Sequence, residues 1–432
     1  MNQSTESLLR FLDSSPCNFL AAANVAAELD RAGFTRLRMA DHWDIAPGGR
    51  YYVTQNDSAI FAFTAGTGAA EDGFKIICAH SDSPGFRIKP AAEMTGKRPV
   101  LKLNTEVYGG PILYTWFDRP LSISGRVVLR SGDPLRPAAK LVDFRRSLLT
   151  IPHLAIHYNR SVNDGNPLSK QKDMLPVLAL LRDKTEADGY LLRLISEETG
   201  VAPDEILDFD LTLYDTTPAC LVGPSEEFIS AGRIDDLEMV HAALTALTAS
   251  LDSDSRMTRV LAVFDNEETG SGTKQGAASP ILRDILSRVT AAIGGTGDET
   301  FIRACANSFM ISADNGHALH PNYEEKQDPT SLPVLGGGPV VKINANCKYM
   351  TDADSAAVFR TICDMAGVPV QTFVNHSDVA GGSTLGNILT SQITLRGVDM
   401  GAPQWAMHSC RETAAVADHL SIIAAFTTFY RI

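Results

Sequence analysis

The sequence predicts an α/β protein with a mostly parallel sheet sandwiched by helices and interrupted by a β-rich insert. Three observations carry this. Beyond Ser225 apolar strands alternate with helices, the pattern of a parallel sheet covered on both faces. Between about Arg87 and Gly223 that alternation gives way to short β-prone stretches broken by Pro and Gly. A length of 432 residues leaves room for about two or three domains. Residues 1–86 plus 226–432 are therefore assigned to one α/β domain, and 87–225 to the insert.

Each element has a local signal. The alanine-rich run Asn18–Ala32 has helical spacing and stops at Gly33, a good C-terminal cap. Arg50–Thr54 and Ala59–Thr64 flank Gln55-Asn56-Asp57-Ser58 as a hairpin, and the strand Phe74–Ala79 follows. In the insert, Leu101–Leu103, Leu121–Ser124 and Arg126–Arg130 read as strands, and about Asp173–Ser196 reads as one long helix with Pro176 near its start. The last part predicts helix Asp236–Ser250, strand Arg259–Phe264, strand Ser308–Ala313 and helix Asp352–Ala366 ending at Gly367. Strand Gln392–Val398 and a final helix near Thr413–Phe429 complete it.

Composition narrows the function. With 44% hydrophobic and 21% charged residues the chain is globular in type. A formal charge of -13 argues against phosphate backbones and anionic membranes as partners, so no nucleic acid and no membrane is expected. The N-terminus lacks a signal-peptide pattern, and no window approaches the roughly 18 apolar residues of a spanning helix. Seven scattered cysteines without a C-x-x-C pair read as reduced thiols, which favours the cytoplasm. Gly336-Gly337-Gly338-Pro339 before Lys342 does not fit the spacing of a phosphate loop.

Three apolar strands end in reactive groups: Ile76–Ala79 in His80-Ser81-Asp82, Val260–Phe264 in Asp265-Asn266-Glu267-Glu268, and Phe309–Ala313 in Asp314. Parallel sheets place ligands at the carboxyl ends of their strands, so these groups can converge. Asp235, where a loop enters a helix, and His408, between a strand and the last helix, join the set. Any one acidic residue at a strand end is ordinarily a turn former or helix cap. Together, imidazole and carboxylate without thiolate suit zinc, manganese or cobalt, and five ligands suffice for two metals sharing a carboxylate bridge. In His80-Ser81-Asp82, Asp82 can accept the imidazole N–H and fix its tautomer. Adjacent Glu267 and Glu268 would repel in one cleft unless one binds metal, leaving the other to take a proton from a metal-held water. The residues alone do not say which has which task.

Several longer strings resemble the M18 metallopeptidases, the aspartyl aminopeptidases, in the family order over essentially the whole chain. They are Ala79–Pro84, Ile151–His157, Asn266–Ser271, Ala313–Tyr323 and Ala406–Ser409. The resemblance implies a dizinc exopeptidase-like fold and a co-catalytic zinc pair bridged by Asp235, with His80, Glu268, Asp314 and His408 as the other ligands and Glu267 as general base. It implies an aminopeptidase acting on peptides with a free N-terminus, preferably Asp or Glu. His157 is then the histidine that reaches a neighbouring subunit's site, ahead of His153, and His317 and Lys342 contact substrate. It further implies a homo-oligomer, a dodecamer built from dimers through the insert. Two positions depart from the family pattern: Asp235-Asp236 stands where Asp-Asn is usual, and Gly381 stands where relatives often have Cys. The competing readings are a related dimetal amidohydrolase, such as a carboxypeptidase or N-deacylase, and a non-catalytic assembly protein.

Overall fold

The computed structural model describes residues 2–432, which divide into two compact units. The first holds residues 2–82, 219–407 and 412–432; the second holds 83–218 and 408–411. The chain thus leaves the first unit after Asp82 and returns at Ala219, and the four residues from His408 to Arg411 join the second unit.

The first unit is built on a nine-stranded sheet. Its order is Thr35–Leu37, Arg50–Gln55, Ala59–Thr64, Thr258–Phe264, Phe74–His80, Phe309–Ala313, Arg396–Gly401, Val340–Lys342 and Gln371–Phe373. The four strands from Thr258–Phe264 to Arg396–Gly401 are parallel, while antiparallel pairs appear toward both edges. Thr258–Phe264 and Phe74–His80 are buried at every position, as expected of central strands covered on both faces. One face packs on Leu237, Val240, Leu244, Ile422 and Phe426, the other on Ile281, Ile285, Val289 and Leu389. Register aligns Phe264 with His80, so these neighbouring strands deliver their C-terminal residues to the same edge.

The helices follow their caps. Asn18–Arg31 ends before Gly33, whose φ of +80° is left-handed. Ala353–Ala366 starts with the Asp352 side chain accepting Ser355 N–H at 2.8 Å and ends at left-handed Gly367. The N-terminal helix Gln3–Ser14, which local pattern did not single out, is capped by Asn2 and buries Thr5, Leu8, Phe11 and Leu12.

The second unit carries a six-stranded antiparallel sheet ordered Ala138–Asp143, Leu121–Leu129, Ile206–Asp215, Gly85–Thr95, Val100–Tyr108 and Val177–Leu180. The β-rich reading of this stretch describes it well, with one long strand through Gly125 in place of two.

Three expected elements are corrected. The long helix at Asp173–Ser196 is instead strand Val177–Leu180, a short turn and helix Tyr190–Thr199. Leu180, Ala179 and Val177 of the strand pair with Val100, Leu101 and Lys102, and left-handed Gly189 starts the helix. The strand placed at Gln392–Val398 runs Arg396–Gly401, because Gln392 and Ile393 N–H close turns onto Leu389 O. Thr413 does not begin the final helix: Glu412–Ala415 pairs with Phe228–Ala231 as a strand, and the helix is Val416–Arg431.

Candidate metal centre and active site

At the carboxyl edge of the first unit's sheet, His80 is 1% exposed and ends its strand. Its Nδ1 lies 3.0 Å from the carbonyl oxygen of Asp82, which can only accept, so Nδ1 carries a proton and Nε2 is the nitrogen turned toward the acidic cluster. Nε2 points to Asp235 Oδ1 at 3.4 Å. The expected carboxylate contact is the longer one, 3.4 Å from Nδ1 to Asp82 Oδ1. Asp82 spends its carboxylate elsewhere: Oδ1 accepts Glu267 N–H and Oδ2 accepts Glu268 N–H, each at 3.1 Å. One aspartate therefore fixes the histidine tautomer and the two glutamates together.

Asn266, at φ +63°, breaks the strand and turns Glu267–Thr269 into a short 3-10 turn. This lifts the glutamates off the strand end. Asp235 and Asp236 follow left-handed Arg233 at the entrance of helix Ile234–Ala249 and have non-helical backbone angles. Asp236 Oδ2 accepts the N–H of His80 at 3.0 Å, and Glu412 Oε2 accepts that of Asp235 at 3.1 Å. Asp314 follows its strand, with Lys342 Nζ 3.3 Å from Oδ1.

Donor atoms of His80, Asp235, Asp236 and Asp314 lie within 4.8 Å of one another, as do those of His80, Glu267 and Glu268. So many acids are held together against their charge. Burial, then the neighbouring carboxylates of Asp314 and Asp235, pushes Asp236 well above the carboxylate range, and burial with Asp235 does the same to Glu268. Glu267 is pushed up to about 8 by burial, Asp314, Asp82 and Asp235, against the opposing charge of His80. His80 is held well above its ordinary value by Asp236, Asp235 and Asp82 although burial alone would lower it. An oxygen-rich set with one imidazole and a surplus of negative charge fits divalent zinc.

Lys342, His317, His157, His153 and His408 complete the expected set. Lys342 is buried, and besides Asp314 it donates to Asn315 O at 2.8 Å, so its ammonium is directed inward. His317, on a two-residue strand beside Pro403–Gln404, is exposed with its ring centroid 5.9 Å from Phe373. In the second unit His157 is exposed on a short turn, Ile156–Tyr158. His153 is tied down instead: its N–H meets Asp118 Oδ1, its Nδ1 the Leu154 carbonyl, and its ring the edge of Phe117. His408, in the second unit's short segment, is left-handed at φ +68° with Nδ1 3.2 Å from Gly110 O.

Sequence reasoning missed the supporting groups. Glu412 stands 177 positions from Asp235 with no motif to mark it. Asn18, whose Nδ2 donates to both oxygens of Asp265 at 3.0 Å, is equally silent. Glu238 had a signal, as an acid set between Leu237 and Met239 in a largely apolar helix.

The chain matches the sequence model of the aminopeptidase I zinc metalloproteases (M18) over residues 11–430. It is 49% identical over 426 residues to a probable M18 family aminopeptidase 2 of Clostridium novyi, covering 98% of both chains. The protein of the same name from Pseudomonas aeruginosa strain UCBPP-PA14 is 42% identical over 428 residues, 98% of this chain and 97% of that one. Among solved structures, a chain from the cryo-EM structure of the Ape4 and Nbr1 complex superposes with a TM-score of 0.95 at 34% identity, covering 99% of this chain and 85% of that chain. The S. cerevisiae mApe1 dodecamer superposes with a TM-score of 0.86 at 25% identity, covering 99% and 96%. By fold and donor set this is a metallopeptidase. The chain belongs to the M18 family of zinc aminopeptidases.

Proposed function

We propose that this protein removes N-terminal residues, preferably Asp or Glu, from peptides with a free N-terminus, using two zinc ions. His80, Asp235, Glu268, Asp314 and His408 would hold the metals, with Asp235 between them. Manganese or cobalt would suit the same donors. When bound, the pair supplies Lewis acidity for the scissile carbonyl and lowers the pKa of a water. Glu267 takes the proton of the attacking water and returns it to the leaving amine. Asp82 keeps His80 in the right tautomer and aims Glu267, and Lys342 holds Asp314 while adding positive charge that favours an acidic side chain. His317 contributes a further substrate contact.

The observation that carries this reading is the triple engagement of Asp82 with His80, Glu267 and Glu268. It gives a ligand and a base a common rigid support, which an assembly protein has no use for. The exposure of Leu154, Ile156 and Tyr158 around His157 supports a second copy covering that segment and lending His157 to its neighbour's site. A dodecamer built from such dimers, in the cytoplasm, completes the reading. The known mApe1 assembly supports it as a relative's property.

The experiment is hydrolysis of X-Ala dipeptides, free and N-acetylated, by chelated and metal-restored protein. Cleavage of Asp-Ala and Glu-Ala only when free and only with metal is expected. Preference for Leu-Ala removes the acidic specificity, cleavage of acetylated peptides favours an N-deacylase or carboxypeptidase, and no cleavage with any metal favours a scaffold.

A further inference from the structure

A row of buried polar groups in the first unit has no part in the site as described. Ser7 Oγ lies 3.0 Å from His241 Nε2, and His241 Nδ1 lies 3.1 Å from His419 Nε2. His419 Nδ1 lies 3.5 Å from Glu238 Oε1, and Glu238 Oε2 accepts Asn315 Nδ2–H at 2.8 Å. Asn315 follows Asp314, and its carbonyl takes the Lys342 ammonium. His241, His419, Glu238 and Asn315 are 4%, 0%, 0% and 1% exposed. Among the described residues Glu238 Oε1 and His419 Nδ1 have no hydrogen-bond partner, and they face each other at 3.5 Å. At the outer end Ser7 and His241 line a groove with Ser4, Arg10, Phe11 and Thr245.

Packing does not call for these groups. Glu238 and His241 interrupt a helix whose neighbouring side chains, Leu237, Met239, Val240, Ala242 and Ala243, are buried and apolar. Burying a carboxyl and two imidazoles carries a desolvation cost that apolar side chains of like size would not.

We propose that Ser7, His241, His419 and Glu238 form a proton relay between the groove and the interior, and that Glu238, acting through Asn315, is a positioning residue for the Asp314–Lys342 pair. In one state the Glu238 O–H donates to His419 Nδ1, His419 Nε2–H to His241 Nδ1, and His241 Nε2–H to Ser7 Oγ. On release the Glu238 O–H breaks as His419 Nδ1–H forms, and His419 Nε2–H breaks as His241 Nδ1–H forms. The His241 Nε2 proton leaves through Ser7 to water. One proton departs, both imidazoles stay neutral, and Glu238 ends as a carboxylate, with the 3.5 Å step shortening as the proton crosses.

The surroundings agree with neutral imidazoles. Burial pushes His419 down to about 3 and, with His419 beside it, holds His241 well below its ordinary value. Burial lifts Glu238 to about 8 against the Asn315 hydrogen bond. Of the charged groups nearby, Asp418, next to His419, accepts Gly336 and Gly338 N–H and repels a charged Glu238, while Arg10 pairs with Glu6, Arg31 with Glu28, and Glu412 with Asp235 N–H. A charged Glu238 pulls harder on Asn315 than a neutral one, and so shifts the support of Asp314.

The effect on catalysis rests on the reading of Asp314 as a ligand; the relay itself does not. The test is therefore made twice. In metal-free protein labelled with ring ¹⁵N histidine, His241 and His419 are expected to invert their tautomers together at one midpoint between about pH 7 and 9, and to stay in the outward-donating state at every pH in Glu238→Gln. Fixed tautomers, or inversion at separate midpoints, would overturn the relay, and the wild-type titration alone decides this should the variant not fold. In zinc-loaded protein, kcat but not KM should change at least threefold through the same midpoint, and Glu238→Gln should lack the step. A shared step in wild type and variant would overturn the positioning role.

Discussion

Lys342 Nζ stands 3.3 Å from Asp314 Oδ1 with both groups buried. Burial would lower this lysine's pKa, but Asp314 before all other groups holds it above its ordinary value, so its ammonium stays charged. Breaking one side of a buried pair leaves an uncompensated charge, at about 3–5 kcal/mol. Lys342→Met should lower the guanidinium midpoint of the chelated protein by a corresponding amount. Zinc should recover more stability in the variant than in wild type, because it replaces the missing positive charge. Equal midpoints for the two chelated proteins would contradict this.

Glu267→Gln keeps the backbone N–H that anchors to Asp82 and loses only the base. We expect kcat to fall by about 10²–10⁴ while zinc content, read by elemental analysis, is unchanged. Full activity in the variant would move the base elsewhere.

Gly125 is at φ +150°, and a Cβ there would lie 2.0 Å from the carbonyl oxygen of Asp210 on the adjoining strand. Gly125→Ala should cost at least about 1–3 kcal/mol. Limited proteolysis should then cut first within residues 83–218, with the first unit's fragments persisting longer.

Asp418 is lifted from an ordinary value of 3.8 to about 7, by burial and the nearby Glu238 carboxylate, which together outweigh the two glycine N–H groups. A carboxyl raised on folding contributes stability that is complete below about pH 3.8 and fades as pH climbs to 7. The slope is at most about 1.4 kcal/mol per pH unit. Wild type should therefore lose stability relative to Asp418→Asn between pH 4 and 7, read as diverging unfolding midpoints; parallel midpoints would contradict the assignment.

The meeting of His80 with Glu267 and with Asp314 at one edge of the sheet was legible because strand ends obey a local rule: an apolar run followed by such a residue carries its own marker. The groups that hold those residues in place were not. Glu412 and Asn18 act across 177 and 247 positions, and nothing near them in sequence hints at their partners. The misread helix at Asp173–Ser196 fails for a related reason. Its leucines suit either period, and only pairing with a strand more than 70 residues earlier decides between them.

The sheet order also has a consequence during synthesis. Ala59–Thr64 and Phe74–His80 are made within seconds of each other, yet neither pairs with the other; Thr258–Phe264 lies between them. At about 5–20 residues per second on the ribosome, roughly 10–40 s pass before that strand emerges. Through this interval two apolar strands wait with unpaired edges while the whole insert is translated. The nascent chain is thus exposed to wrong partners for as long as its own is unmade, and a chaperone that shields the first eighty residues should raise the yield of folded protein more than one that acts on the finished chain.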